Sequence, residues 1–520
     1  MTDVRIVTEP LGGSPLSRLV QAGEAPESWL ARAPDSSAGW RTVAAARVRE
    51  GDWSARFAAL GPAIQATGAA AERLERVRRE GGVVVTTGQQ PGLFGGPVYT
   101  WSKAVSALAL ADEIQEATGI ATAAVFWAAT DDADFQEAAS TVVARVGGTE
   151  VLRATRQPTS GTPLSLAPLG NLDGEIRRLR DASGSAADPR PLGAIDLAYG
   201  DAARTHGDAF VQMLRAILAP LGMPVLDASH PAVREASAPT IDAALRAAAA
   251  IDAALAARAR DIESAGHSPQ VERVPGLTLA FVRDGDAKRR LMIAESARAA
   301  RGTLTPNVLL RPIVERAILP TVAYVAGPGE LAYFAQVSAV AGAMHVPAPV
   351  AVPRWSCTLI EPHIQQLLDQ FKVSPADLAA PHALEGDLAR SAMSDATSRA
   401  LAELRESIAL LPDALGEEAE ESGCGPAVVG AVHALEHRVD RLERRLLAGI
   451  KRRETEMMRD AATLRAALYP DGARQERRLN ATPIFARHGL ALLADMREAA
   501  RPHAASLIEP SSVSRTAGTR

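Results

Sequence analysis

The chain has 520 residues, 47% of them hydrophobic, with 56 basic against 61 acidic side chains and a formal charge of −5. That length holds more than one domain, and the near-neutral balance excludes the broad cationic field of a nucleic-acid or membrane-surface binder. Two cysteines, Cys357 and Cys424, have no neighbouring His or Cys and supply no zinc site; so sparse a thiol content fits a reducing compartment. The opening MTDVRIVTEPLGGSPLSR lacks the order of a signal peptide, and no run of about 20 apolar residues occurs. The expectation is a cytoplasmic protein with no nucleic-acid partner and no membrane partner.

Residues 1–80 read as helices and loops, ending in the amphipathic stretch Ala69–Glu80, which Gly81-Gly82 breaks. VVVTT (83–87) is a β-branched run suited to a strand buried on both faces. GQQPGLFGGP (88–97) is a glycine-rich turn, Tyr99–Thr118 a helix, and Ala121–Ala129 a second apolar strand after a Gly119 cap. Strand, loop, helix and strand make a βαβ unit, and hence a parallel sheet with crossover helices. The stretch from about 148 to 200 is polar and turn-rich, with the cluster Gly184–Pro191, and reads as an insertion or connection. Leu214–Leu218 and MPVLDAS (223–229) resume the helix-then-strand order. Ala243–Ala265 reads as one long helix, Ile318–Ala326 as a buried strand, Leu331–Ala343 as a helix and PAPVAVP (347–353) as a short strand before Arg354.

Beyond about residue 360 the period changes. Leu401, Leu404, Ile408, Leu411 and Leu415 alternate spacings of three and four, as do Leu435, Val439, Leu442 and Leu446. This is a coiled-coil seam, interrupted near Pro412–Pro426, and an antiparallel helical hairpin is its natural form. The seam drifts after Leu446, where Arg453 and Asp460 fall on core positions. Tyr469-Pro470 ends the long helix.

Three constellations carry candidate chemistry. Gly88, Gln89, Gln90, Gly92, Gly95, Gly96 and Pro97 form a turn between a strand and a helix, with Lys103 in the helix's first turns. Backbone N–H groups and the helix dipole favour an anion there, and Lys103 adds a point charge. The spacing matches neither the Walker nor the dinucleotide fingerprint, and a tight structural turn is the other reading. Trp127, Thr130, Asp131, Asp132 and Asp134 stand where a strand ends, the usual ligand edge of an open α/β sheet. Their carboxylates suit an amine, sugar hydroxyls or Mg²⁺, or else cap a helix. Gly327, Glu330 and Tyr333 follow another strand, with Asn307 and Arg311 before it and Arg354 after it. Arginine at strand ends suits bidentate recognition of a carboxylate or phosphate, or a structural ion pair. The histidines are scattered, and Cys357 reads as a small core residue.

TTGQQPGLFGGPVYTWSKAVSALALA, VFWAATDDADFQE, PNVLLRPIVERAILPTVAYVAGPGELAYFAQ, VPAPVAVPRWSCTLIE and LYPDGARQERRLNATPIFARHG occur in that order between about residues 80 and 490. Together they resemble the bacillithiol biosynthesis cysteine-adding enzymes, the BshC family. The resemblance implies an α/β fold with a Rossmann-like parallel-sheet core, connecting-peptide insertions and an α-helical antiparallel coiled-coil arm able to mediate a homodimer. It places the core at 1–380 with insertions at about 148–200 and 255–305, the arm at 385–470, and a segment returning to the core at 471–520. It implies a ligase forming an amide between cysteine and glucosaminyl-malate, with ATP as the expected co-substrate and Mg²⁺ as its optional companion. No metal ligand is assigned. The roles drawn onto these motifs are catalysis for Asp132, Asp134 and Lys103, and cofactor binding for the Gly88–Pro97 turn. Tyr99, Trp127, Thr130, Asp131, Asn307, Arg311, Gly327, Glu330, Tyr333 and Arg354 are left to bind substrate. Ala133 stands where the family pattern carries histidine, so a base supplied by that histidine is not available to this chain. A nucleotidyl-transferring enzyme with another acceptor, and a non-catalytic dimeric pathway scaffold, are the rival readings.

Overall fold

The computed structural model describes residues 3–298, 303–380 and 382–510; the far end of the expected 471–520 segment and a few residues of the expected 255–305 insertion lie outside them. Two compact units are present. One comprises residues 1–143, 151–361 and 475–520, and the other residues 144–150 and 362–474.

The first unit is built on a five-stranded sheet. Along the described residues of the whole chain the strands run β1 (Arg5–Thr8), β2 (Val83–Gln89), β3 (Thr122–Ala128), β4 (Ser140–Arg145), β5 (Gly148–Arg153), β6 (Val225–Asp227), β7 (Leu277–Asp284), β8 (Ala287–Met292), β9 (Leu304–Pro306), β10 (Thr321–Ala326), β11 (Ala351–Pro353) and β12 (Cys357–Ile360). The central sheet has the order β11-β10-β2-β3-β6, and every pairing in it is parallel. Val83, Val84 and Val85 are buried on both faces, which is what an uninterrupted β-branched run requires. Helix α1 (Val98–Thr118) covers one face and is itself covered by the helix Ala491–Ile508. On the other face Val84, Val125, Trp127 and Leu226 pack against Trp53, Phe57 and Leu60. Each such buried side chain contributes about 1.5–3 kcal/mol.

Gly119 ends α1 in the left-handed region, at φ 72°, where a β-carbon would be strained. Past β10, Gly327 opens helix α3 (Pro328–Ala343); before β10 comes helix α2 (Arg311–Ile318). The strand expected at Ile318–Ala326 therefore starts only at Thr321, since Ile318 closes α2. Leu319 precedes Pro320 and sits in extended backbone, the conformation a following proline imposes. The single helix expected over Ala243–Ala265 is two, Pro231–Arg246 and Ala248–Ser264, meeting at Ala247. Helix propensity, high as it is for alanine, yields here to packing: Ile241 and Ala244 on one side of the break, and Ile251 and Leu255 on the other, share one core. The stretch 148–200 contains β5 and two helices, Asp173–Ser183 and Arg190–Tyr199, with the expected Gly/Ser/Pro cluster between them. Of PAPVAVP, only Ala351–Pro353 joins the sheet. A separate antiparallel sheet of order β8-β7-β9 forms within 277–306, its hairpin closed at Gly285 with φ 60°.

In the second unit, Asp395–Ala409 and Leu411–Glu421 pack on helix α4 (Gly425–Arg453). Leu401, Ile408, Val432 and Val439 form its buried seam. The helix expected to run on to Tyr469 is interrupted at Glu454 and resumes as Thr455–Leu468, at the point where the seam drifts. Among the described residues no helix is long and apolar enough to cross a membrane.

Candidate active site

The carboxyl ends of β2, β3 and β10 open onto a cavity of about 830 Å³. Parallel strands bring their succeeding loops to one edge, so three segments distant in sequence converge there. The antiparallel sheet within 277–306 adds a further wall with Phe281, Lys288 and Arg290.

At its base lies a buried ion pair. Lys103 points back from α1, places its Nζ 2.5 Å from Oε2 of Glu330, and donates to the Gly88 carbonyl at 2.8 Å and to Oε1 of Gln89 at 3.1 Å. Glu330 also accepts from the Tyr324 hydroxyl (2.5 Å) and from the Gly327 N–H (2.7 Å). Burial alone would raise the Glu330 carboxyl, but Lys103 and Arg311 outweigh it and hold the group below the usual carboxylate range. Arg311 bonds Glu315 at 2.9 Å and the Tyr333 hydroxyl at 3.1 Å, and its guanidinium lies 4.8 Å from the centre of the Tyr324 ring. Glu315 takes a further hydrogen bond from Thr86, and burial lifts its carboxyl to about 7 against the pull of Arg311.

The acidic segment after β3 divides its labour. Asp131 lines the cavity, and burial raises its carboxyl while Lys288 opposes the rise; Lys288 donates to the Asp131 carbonyl. Asp132 also lines the cavity, with Oδ1 accepting from the N–H groups of Ala133 (2.6 Å) and Asp134 (3.1 Å). Asp134 caps the short helix Phe135–Ala138 and does not face the cavity. Thr130 is buried and bonded to Asp227 and to the Ser229 N–H, again off the cavity. Among the described residues no three His, Cys, Asp or Glu side chains converge to hold a metal ion. Ala133, at the position where the resemblance implies a histidine, lines the cavity beside Asp132.

Tyr99, Trp127, Asn307, Arg311, Gly327, Glu330, Tyr333 and Arg354 are all brought to this cavity, with Gly88, Gln89, Gln90 and Lys103. Asn307 spends its amide oxygen on the N–H groups of Leu309 and Leu310 where α2 begins. Arg354 is committed to a buried fork with Glu476, at 2.8 and 2.7 Å, leaving its Nε without a hydrogen-bond partner among the described residues. The remainder of the glycine turn parts from this group. Gly92, Gly96 and Pro97 face a second cavity, and Gly95 packs against Met213 and Trp101, where a β-carbon would meet both at 2.8 Å. Lys288, Arg290, Glu315, Tyr324 and Glu137 escape a reading of the sequence by motif. Only the Asp284-Gly285 hairpin signal between β7 and β8 could have pointed to the lysine.

Cys357 is buried in the core, and burial pushes its thiol up to about 12, far from a reactive thiolate. Burial likewise brings His206 down to about 4.

A doubly covered parallel sheet, with a mixed-charge cavity at its carboxyl edge and a helical second unit, defines a Rossmann-like α/β protein built to handle a small polar molecule. Family models agree: residues 58–302 and 288–355 match the bacillithiol biosynthesis BshC N-terminal Rossmann-like domain, and residues 357–507 match the BshC C-terminal coiled-coil domain. The chain belongs to the BshC family of bacillithiol biosynthesis. It is 29% identical over 470 residues to a protein of Solibacter usitatus, covering 84% of this chain and 86% of that one. With a protein of Thermus thermophilus it shares 31% identity over 457 residues, covering 82% and 88% respectively. A Koribacter versatilis protein is 30% identical, with 85% and 86% covered. All three bear the description "Putative cysteine ligase BshC".

Proposed function

We propose that this chain is a cytoplasmic cysteine ligase that joins the cysteine carboxyl to the amine of glucosaminyl-malate, forming an amide. The observation that carries the reading is the mixed charge of the main cavity. Lys288 and Arg290 stand on one wall and Asp131 and Asp132 on another, within one space of about 830 Å³. A ligand pair bearing both carboxylates and ammonium groups needs both signs of charge within reach. The descriptions carried by the relatives support cysteine as one of the pair.

Amide formation requires an unprotonated amine and an activated carboxyl. When bound, ATP supplies the leaving group that activates the cysteine carboxyl. Asp131, raised by burial, is suited to accept the proton that the attacking ammonium must lose. Asp132 orients the amine from the same segment, and Lys103 with the Gly88–Gln90 edge of the turn faces the oxygens of the activated carboxyl. Asp131, Asp132 and Asp134 do not form a cage for Mg²⁺, and no step of this scheme runs through one. Leu404, Leu415, Leu435 and Leu442 are exposed on the helical arm, and pairing those faces in a homodimer would cover them.

The test is to incubate the purified chain with ATP, cysteine and glucosaminyl-malate and to look for bacillithiol by mass spectrometry, beside an active relative. Product confirms the assignment. No product from this chain, while the relative yields it, overturns the assignment.

A further inference from the structure

Two buried cations and two buried acids stand together beside the main cavity: Lys103 and Arg311, Glu330 and Glu315. Lys103 is matched to Glu330 at 2.5 Å. Arg311 is matched to Glu315 at 2.9 Å, one turn further along α2. The four formal charges cancel. Glu315 is 1% exposed and does not line the cavity, so the chemistry drawn above makes no use of it. Arg311 does line the cavity. Its bonds to Glu315 and to the Tyr333 hydroxyl engage two of the five N–H groups of a guanidinium and leave donors for a ligand.

This balance decides how the group responds to an anion. A carboxylate laid against Arg311 adds a negative charge to a neutral, poorly solvated set, and the least costly response is for one acid to take up a proton. Glu330 resists: against the cost of its burial, Lys103 and Arg311 hold its carboxyl low, and the Tyr324 hydroxyl and the Gly327 N–H both donate to it. Glu315 has Arg311 as its one ion-pair partner among the described residues, and burial lifts its carboxyl to about 7. Its remaining partner, the Thr86 hydroxyl, suits both states, since it donates to a carboxylate and accepts from a protonated acid.

The other neighbours supply no second cation to it. β10 contributes Tyr324 and α3 contributes Tyr333 and Glu330, and burial raises both tyrosine hydroxyls so that they stay neutral. The helix Pro231–Arg246, packed on α2, buries Val233, Ser237, Ile241 and Ala244. Arg47 and Arg56 meet α2 at its far end, on the carbonyls of Arg316, Ala317 and Leu319.

We infer that Glu315 is a positioning residue that takes up a proton when the acid-bearing substrate seats its carboxylate on Arg311. The proton comes from solvent and forms one O–H bond; the other carboxyl oxygen continues to accept from Arg311. The inference rests on the reading of the main cavity as the site of a substrate carboxylate, and adds to it a regulation. Below neutrality Glu315 already carries the proton and the charge of Arg311 is free for the ligand. Above neutrality binding must draw the proton from solvent, so affinity falls as pH rises.

Calorimetry of the full chain with malate, a dicarboxylate fully ionised from about pH 6.5 to 8, tests this in buffers of different ionisation enthalpy. The parent should take up about half a proton per malate at about pH 7.5, and its affinity should fall about fivefold from about pH 6.5 to 8. Glu315→Gln, which keeps the shape and removes the titration, should bind malate without proton uptake and with an affinity constant over that range. Unchanged uptake in Glu315→Gln would assign the proton to another acid and overturn the inference, as would no uptake, or no saturable malate binding, by the parent. Loss of malate binding by the variant at every pH would reduce Glu315 to a structural part and overturn it too. Turnover keeps the two readings apart. A parent that forms bacillithiol without the proton uptake refutes this inference alone; one that takes up the proton yet forms none, beside an active relative, refutes the ligase assignment alone.

Discussion

The ammonium of Lys103 stands 2.5 Å from Oε2 of Glu330, tying the helix that follows β2 to the helix that follows β10. Both groups are largely removed from water, so each is the other's main source of solvation. The pair sets the spacing of two of the loops that form the cavity, and Tyr324 and the Gly327 N–H fix the carboxylate from its other sides.

Glu330→Gln should therefore destabilise the fold by about 3 kcal/mol, because it leaves the Lys103 charge buried without its partner. Lys103→Met combined with Glu330→Gln should be more stable than Glu330→Gln alone. Urea unfolding of the two variants and the parent measures both differences; equal stabilities for all three would show that the pair does not hold the loops.

Glu315 gives stability a pH dependence of definite sign. Its carboxyl is raised from 4.5 to about 7 in the folded chain, so between those values the folded state keeps a proton that the unfolded chain has released. Stability from this group accordingly falls as pH rises through that window. Glu315→Gln should gain on the parent by up to about 3 kcal/mol between pH 4.5 and 7, read from unfolding midpoints at matched ionic strength.

Lys288 reaches the cavity from β8, its ammonium 4.6 Å from the centre of the Phe281 ring. Lys288→Ala should raise KM for the anionic substrate about tenfold, leave kcat within about a factor of two, and shift Tm little. Steady-state kinetics with the substrate varied decide it; a fall in kcat alone would assign the lysine to chemistry rather than to binding.

Leu435 and Leu442 lie exposed on α4 while Val432 and Val439 fill the seam of the same helix. Leu435→Glu/Leu442→Glu should convert the expected dimer to a monomer without unfolding the arm. Light scattering gives the mass and circular dichroism the helicity.

The parallel sheet is legible in the sequence because strands buried on both faces leave unbroken apolar runs, as at Val83–Val85 and Thr122–Ala128. β7 and β8 are not, since FVRD and AKRR mix charged and apolar residues on a half-exposed sheet. The glycine turn is plainly visible, yet its division between two cavities depends on the fold of residues 135–153 and 475–478, far away in the chain. Arg354 illustrates the general difficulty. Its type and its place at a strand end suit a ligand contact, while the partner that occupies its fork, Glu476, comes 122 residues later. No local pattern announces such a pair.

That same pairing bears on how the molecule comes into being. Glu476 neutralises Arg354, Gln475 bonds both the N–H and the carbonyl of Leu359 at 2.8 Å, and Ala491–Ile508 seals α1. A nascent chain emerging from the ribosome therefore carries an unsealed sheet through the whole synthesis of residues 362–474. The coiled-coil stretch, rich in local contacts, can coil as it emerges, whereas the sheet-bearing unit waits for residues 475–508. Cells making this protein would expose that unfinished sheet to chaperones for the time needed to translate the helical excursion.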